Sequence, residues 1–175
     1  ARRKFLKGHK VELRHIIQTI RRFALCYPRV TFKLISDNKP VLNLTPETLE
    51  DRISSVFDPS YKNHLLPVKF EKDAFKVTGF VGDLSLVRKR RGEQHLFLNK
   101  RYIVNNLLKS SCYSAYQRLV SRGEYPFFVL NLQMPLDGVD VNVHPMKIEV
   151  RFRDEWRIYH VLKSAVTEGL KDILS

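Results

Sequence analysis

The stretch from 139 to 152, Val139-Asp140-Val141-Asn142-Val143-His144-Pro145-Met146-Lys147-Ile148-Glu149-Val150-Arg151-Phe152, constrains the fold more than any other. Val139, Val141 and Val143 alternate with Asp140, Asn142 and His144, the period of a half-buried strand. After Pro145 the alternation resumes as Ile148, Val150 and Phe152, with Lys147, Glu149 and Arg151 between them. The apolar set has moved from odd to even positions. A strand running straight through would turn one set to the wrong face. The chain must therefore break or bulge at Pro145-Met146. Proline fixes its own φ, lacks an N–H and holds His144 extended. The pattern predicts two strand-like arms joined by a stiff kink, with Lys147 at the kink. A lysine on a stiff kink can be aimed at something, while by alternation alone it reads as a solvated strand-end residue.

The rest of the chain predicts alternating elements. A helix over 10–27 has Leu13, Ile16, Ile17, Ile20, Phe23, Ala24 and Tyr27 on one stripe and ends at Pro28. Ala1 to Lys7 reads as a basic tail. A hairpin of strands 30–35 and 41–44 turns at Ser36-Asp37-Asn38-Lys39-Pro40. Thr45-Pro46-Glu47 starts a helix to about Phe57, with Thr45 as the cap. A second hairpin pairs 65–70 with 75–81, where Gly79 marks a bulge or a close backbone approach. A loop with four consecutive cations, Arg88, Lys89, Arg90 and Arg91, leads to a strand and turn over 95–103. A helix over 105–122 is capped by Asn105 and closed by Gly123. A strand over 127–134, central by its scarcity of charge, precedes the phase-slipped stretch. The last helix starts at Asp154, with Tyr159, Leu162, Val166, Leu170 and Ile173 as its stripe. The order α, ββ, α, ββ, β, α, β, β, α predicts an α+β fold, a mixed sheet with helices packed on one face.

Charge narrows the function. Lys plus Arg number 31 against 18 Asp plus Glu, a net of +13 with a pI near 9.9. That balance points to a polyanionic partner, most simply nucleic acid, without choosing between DNA and RNA. Arg88, Lys89, Arg90 and Arg91, with Lys100 and Arg101 shortly after, are the candidate phosphate contacts, and the strand between could bring both groups to one edge. No apolar run is long enough to cross a bilayer. No apolar stretch follows the basic N-terminus as in a signal peptide, and a membrane partner is not expected. Cys26 and Cys112 form neither a disulfide framework nor a metal spacing, which suits a reducing compartment. His144 has no ligand or nucleophile at a useful spacing; it and Asn142 are expected to support the kink.

His144-Pro145-x-Lys147-x-Glu149-Val150-Arg151-Phe152, preceded by Asp140-Val141-Asn142-Val143, resembles the signature of MutL-type DNA mismatch repair proteins, with Met146 where that family usually has a small residue. Phe97-Leu98-Asn99-Lys100-Arg101 resembles the family's strand and turn, with Lys100 where glycine is usual. A turn of different shape is expected there. The resemblance implies the transducer domain of a GHKL ATPase region, the fold of the second domain of a small-subunit ribosomal protein, with a left-handed β-α-β crossover. Residues 1–7 then end the ATPase domain and 8–175 form the transducer. Lys147 is the position that would reach the γ-phosphate of ATP in the adjacent domain, with Asn142, His144 and Pro145 supporting it. ATP and Mg²⁺ would be held mainly by that domain, with no cofactor in this chain alone. The implied partners are DNA, a MutS-type mismatch recognition protein and a second copy or a paralogue in a dimer. The implied compartment is the cytoplasm of a bacterium or the nucleus of a eukaryote. The family's DNA-contacting arginine at the start of the 105–122 helix does not carry over, because Asn105 and Asn106 stand there. Rival readings are a stand-alone ribosomal or RNA-processing domain of the same fold, a gyrase-type transducer, and a small-molecule kinase relative, which would need a glycine-rich phosphate loop.

Overall fold

The computed structural model describes residues 2–140 and 149–174. The chain divides into two compact units, Ala1–Pro59 and Ser60–Ser175. Among the described residues no helix is long and apolar enough to cross a membrane.

The first unit comprises helix α1 (Arg2–Cys26), the hairpin β1 (Phe32–Ser36) and β2 (Lys39–Leu44), and helix α2 (Leu49–Val56). The basic segment expected to be a tail is the first part of α1. The expected stripe of α1 is split: Ala24 is buried, whereas Ile16, Phe23 and Tyr27 are exposed. The hairpin turns at Asp37-Asn38, both with positive φ (51° and 61°), a pair whose twist matches the flanking strands. Helix α2 begins three residues later than the sequence suggests. Thr48 is its cap, its side chain accepting from Asp51 N at 3.1 Å. Thr45 and Glu47 are diverted to Arg52, a residue the sequence reading passed over. Arg52 is fully buried. Its Nε donates to Glu47 Oε2 at 2.7 Å, and Nη2 donates to Thr45 O at 2.8 Å. The residues expected to open the helix wrap an arginine instead.

The second unit is built on a five-stranded sheet in the order β3-β4-β7-β5-β6. The strands are β3 (Leu65–Lys72), β4 (Phe75–Gly82), β5 (Gln94–Leu98), β6 (Arg101–Ile103) and β7 (Phe128–Gln133). All pairings are antiparallel except β5 with β7, which is parallel. Alternation decides the buried face. Val77, Val81, Leu96, Leu98, Phe128, Leu130 and Leu132 point to one side and share a core with helices α3 (Asn106–Ala115) and α4 (Glu155–Gly169). A short helix, α5 (Lys171–Leu174), follows. The fold is α+β with a mixed sheet, and β7 is central as its apolar run predicted.

Helix α3 stops at Ala115, well before the expected end at 122. Tyr116 is fully buried and its hydroxyl donates to Gly82 O at 2.6 Å, and Gln117 then turns to φ 55°. Burial pushes the Tyr116 hydroxyl pKa well above its ordinary value, so it stays a donor. Leu119, placed on the stripe by its spacing, is 39% exposed. The α4 stripe holds at Leu162, Val166 and Leu170, all buried, while Tyr159 is only half-buried and Ile158, Val161 and Ala165 complete the buried face. Gly79 is a close approach. Its φ is +137°, and a Cβ there would sit 2.1 Å from Val129 O on the neighbouring strand. Gly79→Ala is expected to cost about 2–3 kcal/mol, because strand and neighbour must separate and the backbone must strain. Chemical denaturation checks this, and a loss below about 0.5 kcal/mol would contradict it.

Candidate functional site

The two ends of the phase-slipped stretch are clasped together. Strands β8 (Val139–Asp140) and β9 (Arg151–Phe152) pair antiparallel, with Val139 opposite Phe152 and Asp140 opposite Arg151. The returning arm keeps the predicted parity. Val150 and Phe152 are buried, Glu149 and Arg151 exposed. Two further ties hold that arm. Glu149 bridges Val104 in parallel, beside the end of β6. Asn105 Nδ2 donates to Val150 O at 3.3 Å and to Glu155 Oε1 at 2.8 Å. Asn105 Oδ1 accepts from Leu108 N at 3.0 Å, the expected cap of α3. One asparagine therefore joins the start of α3, the returning arm and the start of α4. The cap was legible in the sequence; the tie to Val150, 45 residues away, was not. The candidate residues Asn142, His144, Pro145 and Lys147 lie outside the described residues.

The candidate cations divide into three kinds. Arg88 is built into the fold. It forms a bridge with Tyr125 through main-chain bonds of 3.0 and 2.7 Å, and Nη1 donates to Ser85 O at 2.9 Å. Its guanidinium lies 5.8 Å from the Tyr61 ring centre, and Nε is 4.0 Å from Glu93. The Tyr61 hydroxyl donates to the same carboxylate. Burial raises the Tyr61 pKa, and Glu93 adds to it, so this hydroxyl keeps its proton. Arg91 is exposed and stacks on the Tyr125 ring at 5.2 Å. The Tyr125 hydroxyl raises the Arg91 pKa. Behind it Tyr113 is pushed up to about 12, chiefly by burial. Lys89 and Arg90 are exposed.

Lys100 and Arg101 are exposed at the β5–β6 turn. Lys100 takes the positive φ that a glycine there would permit. Asn99 and Lys100 both take positive φ, 47° and 66°. Hydrogen bonds hold it there. Asn99 Nδ2 donates to Met134 O at 2.9 Å, Met134 N donates to Asn99 Oδ1 at 3.0 Å, and Lys100 N donates to Asn131 Oδ1 at 2.9 Å. The side-chain amide of Asn99 clasps the end of β7, which outweighs the strain of a lysine in the left-handed region. The two cation groups are not brought to one edge by β5. The loop enters its first residue and the turn leaves its last, with about 16 Å of strand between. Lys100 instead borders an open cleft of about 600 Å³ lined also by Glu71, Asp73, Lys76, Asn131 and Gln133. Both signs of charge meet there, and Lys76 lies 3.6 Å from Glu71.

Among the described residues, no three His, Cys, Asp or Glu side chains are grouped to hold a metal ion. The described residues offer exposed cations to phosphate groups, and paired strands at the two ends of the 141–148 segment.

Comparison with known proteins bears on what these residues serve. Residues 53–171 match the family described as DNA mismatch repair protein, C-terminal domain. A DNA mismatch repair protein MutL of Chloroherpeton thalassium is 34% identical over 173 residues, 99% of this chain and 27% of that protein. The chain spans about a quarter of the length of such relatives. A crystal structure of the N-terminal domain of a DNA repair protein superposes with a TM-score of 0.77 at 20% identity, over 98% of this chain and 57% of that one, a likeness of fold. The Aquifex aeolicus MutL ATPase domain complexed with ADP superposes with a TM-score of 0.56 at 27% identity, over 77% of this chain and 48% of that one.

Proposed function

Because the chain belongs to the MutL-type DNA mismatch repair proteins, we propose that it acts as their transducer module, coupling ATP binding and hydrolysis in an adjacent GHKL ATPase domain to dimer closure and DNA binding. The clasp around residues 141–148 carries this reading. Paired strands, the Val104 bridge and Asn105 hold both ends of the segment that contains Lys147, which supports a role in which that cation answers to a phosphate held by another domain. The described residues offer a phosphate exposed cations and no enclosed ring of donors. They fit one edge of a polyanion, and a nucleotide with Mg²⁺ is assigned to the ATPase domain. When bound, its γ-phosphate supplies the charge that Lys147 meets. On the same reading residues 1–7 end the ATPase domain and 8–175 form the transducer, with α1 running through the junction. A dimer of the full-length protein, in the bacterial cytoplasm or eukaryotic nucleus, works with DNA and a MutS-type protein.

DNA contact is assigned to Lys89, Arg90 and Arg91, with Arg88 shaping their loop and Lys100 and Arg101 forming a separate contact. Replacing Lys89, Arg90 and Arg91 by serine is expected to weaken duplex binding and flatten its salt dependence. If each cation meets one phosphate, the slope of log K against log salt falls by about 2 to 3. Coupling adds a second expectation. In the full-length protein an ATP analogue should change duplex affinity about 5-fold or more. Equal affinity with and without nucleotide would overturn the coupling role, and an unaltered salt slope would overturn the loop assignment.

A further inference from the structure

Trp156, the one tryptophan of the sequence, is 62% exposed on α4. The buried stripe of that helix runs through Ile158, Val161, Leu162, Ala165 and Val166, so nothing in the core requires an indole on the opposite side. Residues 156, 157, 160 and 163 recur at intervals of three and four and share that outer face. They are Trp156, Arg157, His160 and Lys163, all exposed; Arg153, exposed in the turn just before the helix, donates from Nη2 to Asp137 O at 3.0 Å. The aromatic members are braced. Trp156 and Tyr159 have ring centres 5.3 Å apart, and Tyr159 and His160 5.6 Å. Tyr159 is fixed by its hydroxyl, which donates to Ser114 Oγ at 3.3 Å, and by its carbonyl, which accepts from Ser111 Oγ. The carboxylates nearby are engaged. Asp154 accepts from Arg157 N at 3.3 Å, Glu155 is turned to Asn105, and Asp73 pairs with Arg157 at 3.2 Å.

We propose that this face of α4 is a binding site for single-stranded DNA, with Trp156 stacking on an unpaired base and Arg153 and Lys163 meeting phosphates on either side. Base-stacking surfaces combine an exposed aromatic ring with cations that follow the backbone, and they tolerate any base because every base has a π-face. A protein partner fits less well, since interface cores are depleted of charge and here cations surround the ring. Duplex DNA keeps its bases stacked and offers Trp156 no face to cover. The site stands on α4 and the turn before it, and does not depend on Lys147 or on the 88–91 loop.

The test uses the single indole as its own reporter. Titrating the 175-residue chain with oligothymidylate is expected to quench Trp156 fluorescence, while a mixed-sequence duplex leaves it unchanged. Trp156→Ala, followed by anisotropy of labelled oligothymidylate, should raise Kd about 5- to 100-fold, and Trp156→Phe should recover most of the affinity. The duplex affinity of Trp156→Ala should equal that of the parent. No quenching at saturation, or a Kd for Trp156→Ala within twofold of the parent, would overturn the proposal; the second result is also the one a protein-docking role predicts. The serine variant of Lys89, Arg90 and Arg91 keeps the quench, which separates failure of that loop's assignment from failure of this one.

Discussion

In the full-length protein, Lys147→Ala is expected to lower ATP turnover about 10- to 10³-fold, the range seen when one preorganised stabiliser of transition-state charge is removed. The size follows from what a compact ammonium does beside a transferring phosphoryl group. It stabilises charge that grows in the transition state, so kcat should fall more than KM rises. The two ends of the segment around Lys147 are held, since Val139 and Asp140 pair with Phe152 and Arg151, and Asn105 holds Val150. A second readout separates this role from general damage. ADP lacks the γ-phosphate, so its affinity should be unchanged in the variant while that of a non-hydrolysable ATP analogue drops. Unaltered turnover, or an equal loss of ADP and analogue binding, would remove Lys147 from the role given to it.

Arg52→Leu should destabilise the first unit by about 3–5 kcal/mol, the range for removing one partner of a buried, hydrogen-bonded charge. The guanidinium donates to Ala24 O, Tyr27 O, Pro28 O, Val30 O and Thr45 O at 2.8 to 3.3 Å, and to the Glu47 carboxylate at 2.7 Å. Leucine fills part of the volume but leaves those oxygens without their donor. The sum exceeds the roughly 1 kcal/mol that the Thr48 cap contributes, so the arginine, more than the cap, holds α2 to the end of α1. Arg52→Lys should recover little, because three donors on one nitrogen cannot match a planar fork that reaches acceptors on several sides. Hydrogen exchange of the α2 amides reports the loss locally. Protection within about 1 kcal/mol of the parent in Arg52→Leu would contradict the assignment.

The position of Arg52 was present in the sequence in a form that periodicity disguises. Leu49, Arg52, Ile53 and Val56 stand at i, i+3, i+4 and i+7, so the arginine occupies an apolar stripe. A charge there signals either an error of phase or a buried cation with partners, and here it is the second. The end of α3 erred for the opposite reason. Leu108, Cys112, Ala115, Tyr116 and Leu119 continue a helical period, yet Tyr116 leaves the helix because its hydroxyl finds Gly82 O across the core. Propensity and spacing carry no information about an acceptor 34 residues away. In α4 the spacing placed Leu162, Val166 and Leu170 correctly in the core but put Tyr159 there too. Its hydroxyl is instead held by Ser114 at the margin, and the outward placing of Trp156 was missed with it.

Local chemistry was enough for the order of the elements, the hairpin turns, the Gly79 approach, the Asn105 and Asp154 caps, and the even-numbered burial of Val150 and Phe152. Each depends on neighbours a few residues apart, where φ restrictions, alternation and capping act directly. The parallel pairing of β5 with β7, the burial of Arg52, the separation of the loop cations from Lys100 and Arg101, and the triple grip of Asn105 were decided by the tertiary structure alone. They arise from main-chain and side-chain groups far apart in the chain that satisfy one another's hydrogen bonds only once the core has closed, and no period in the sequence records which distant group will be the partner.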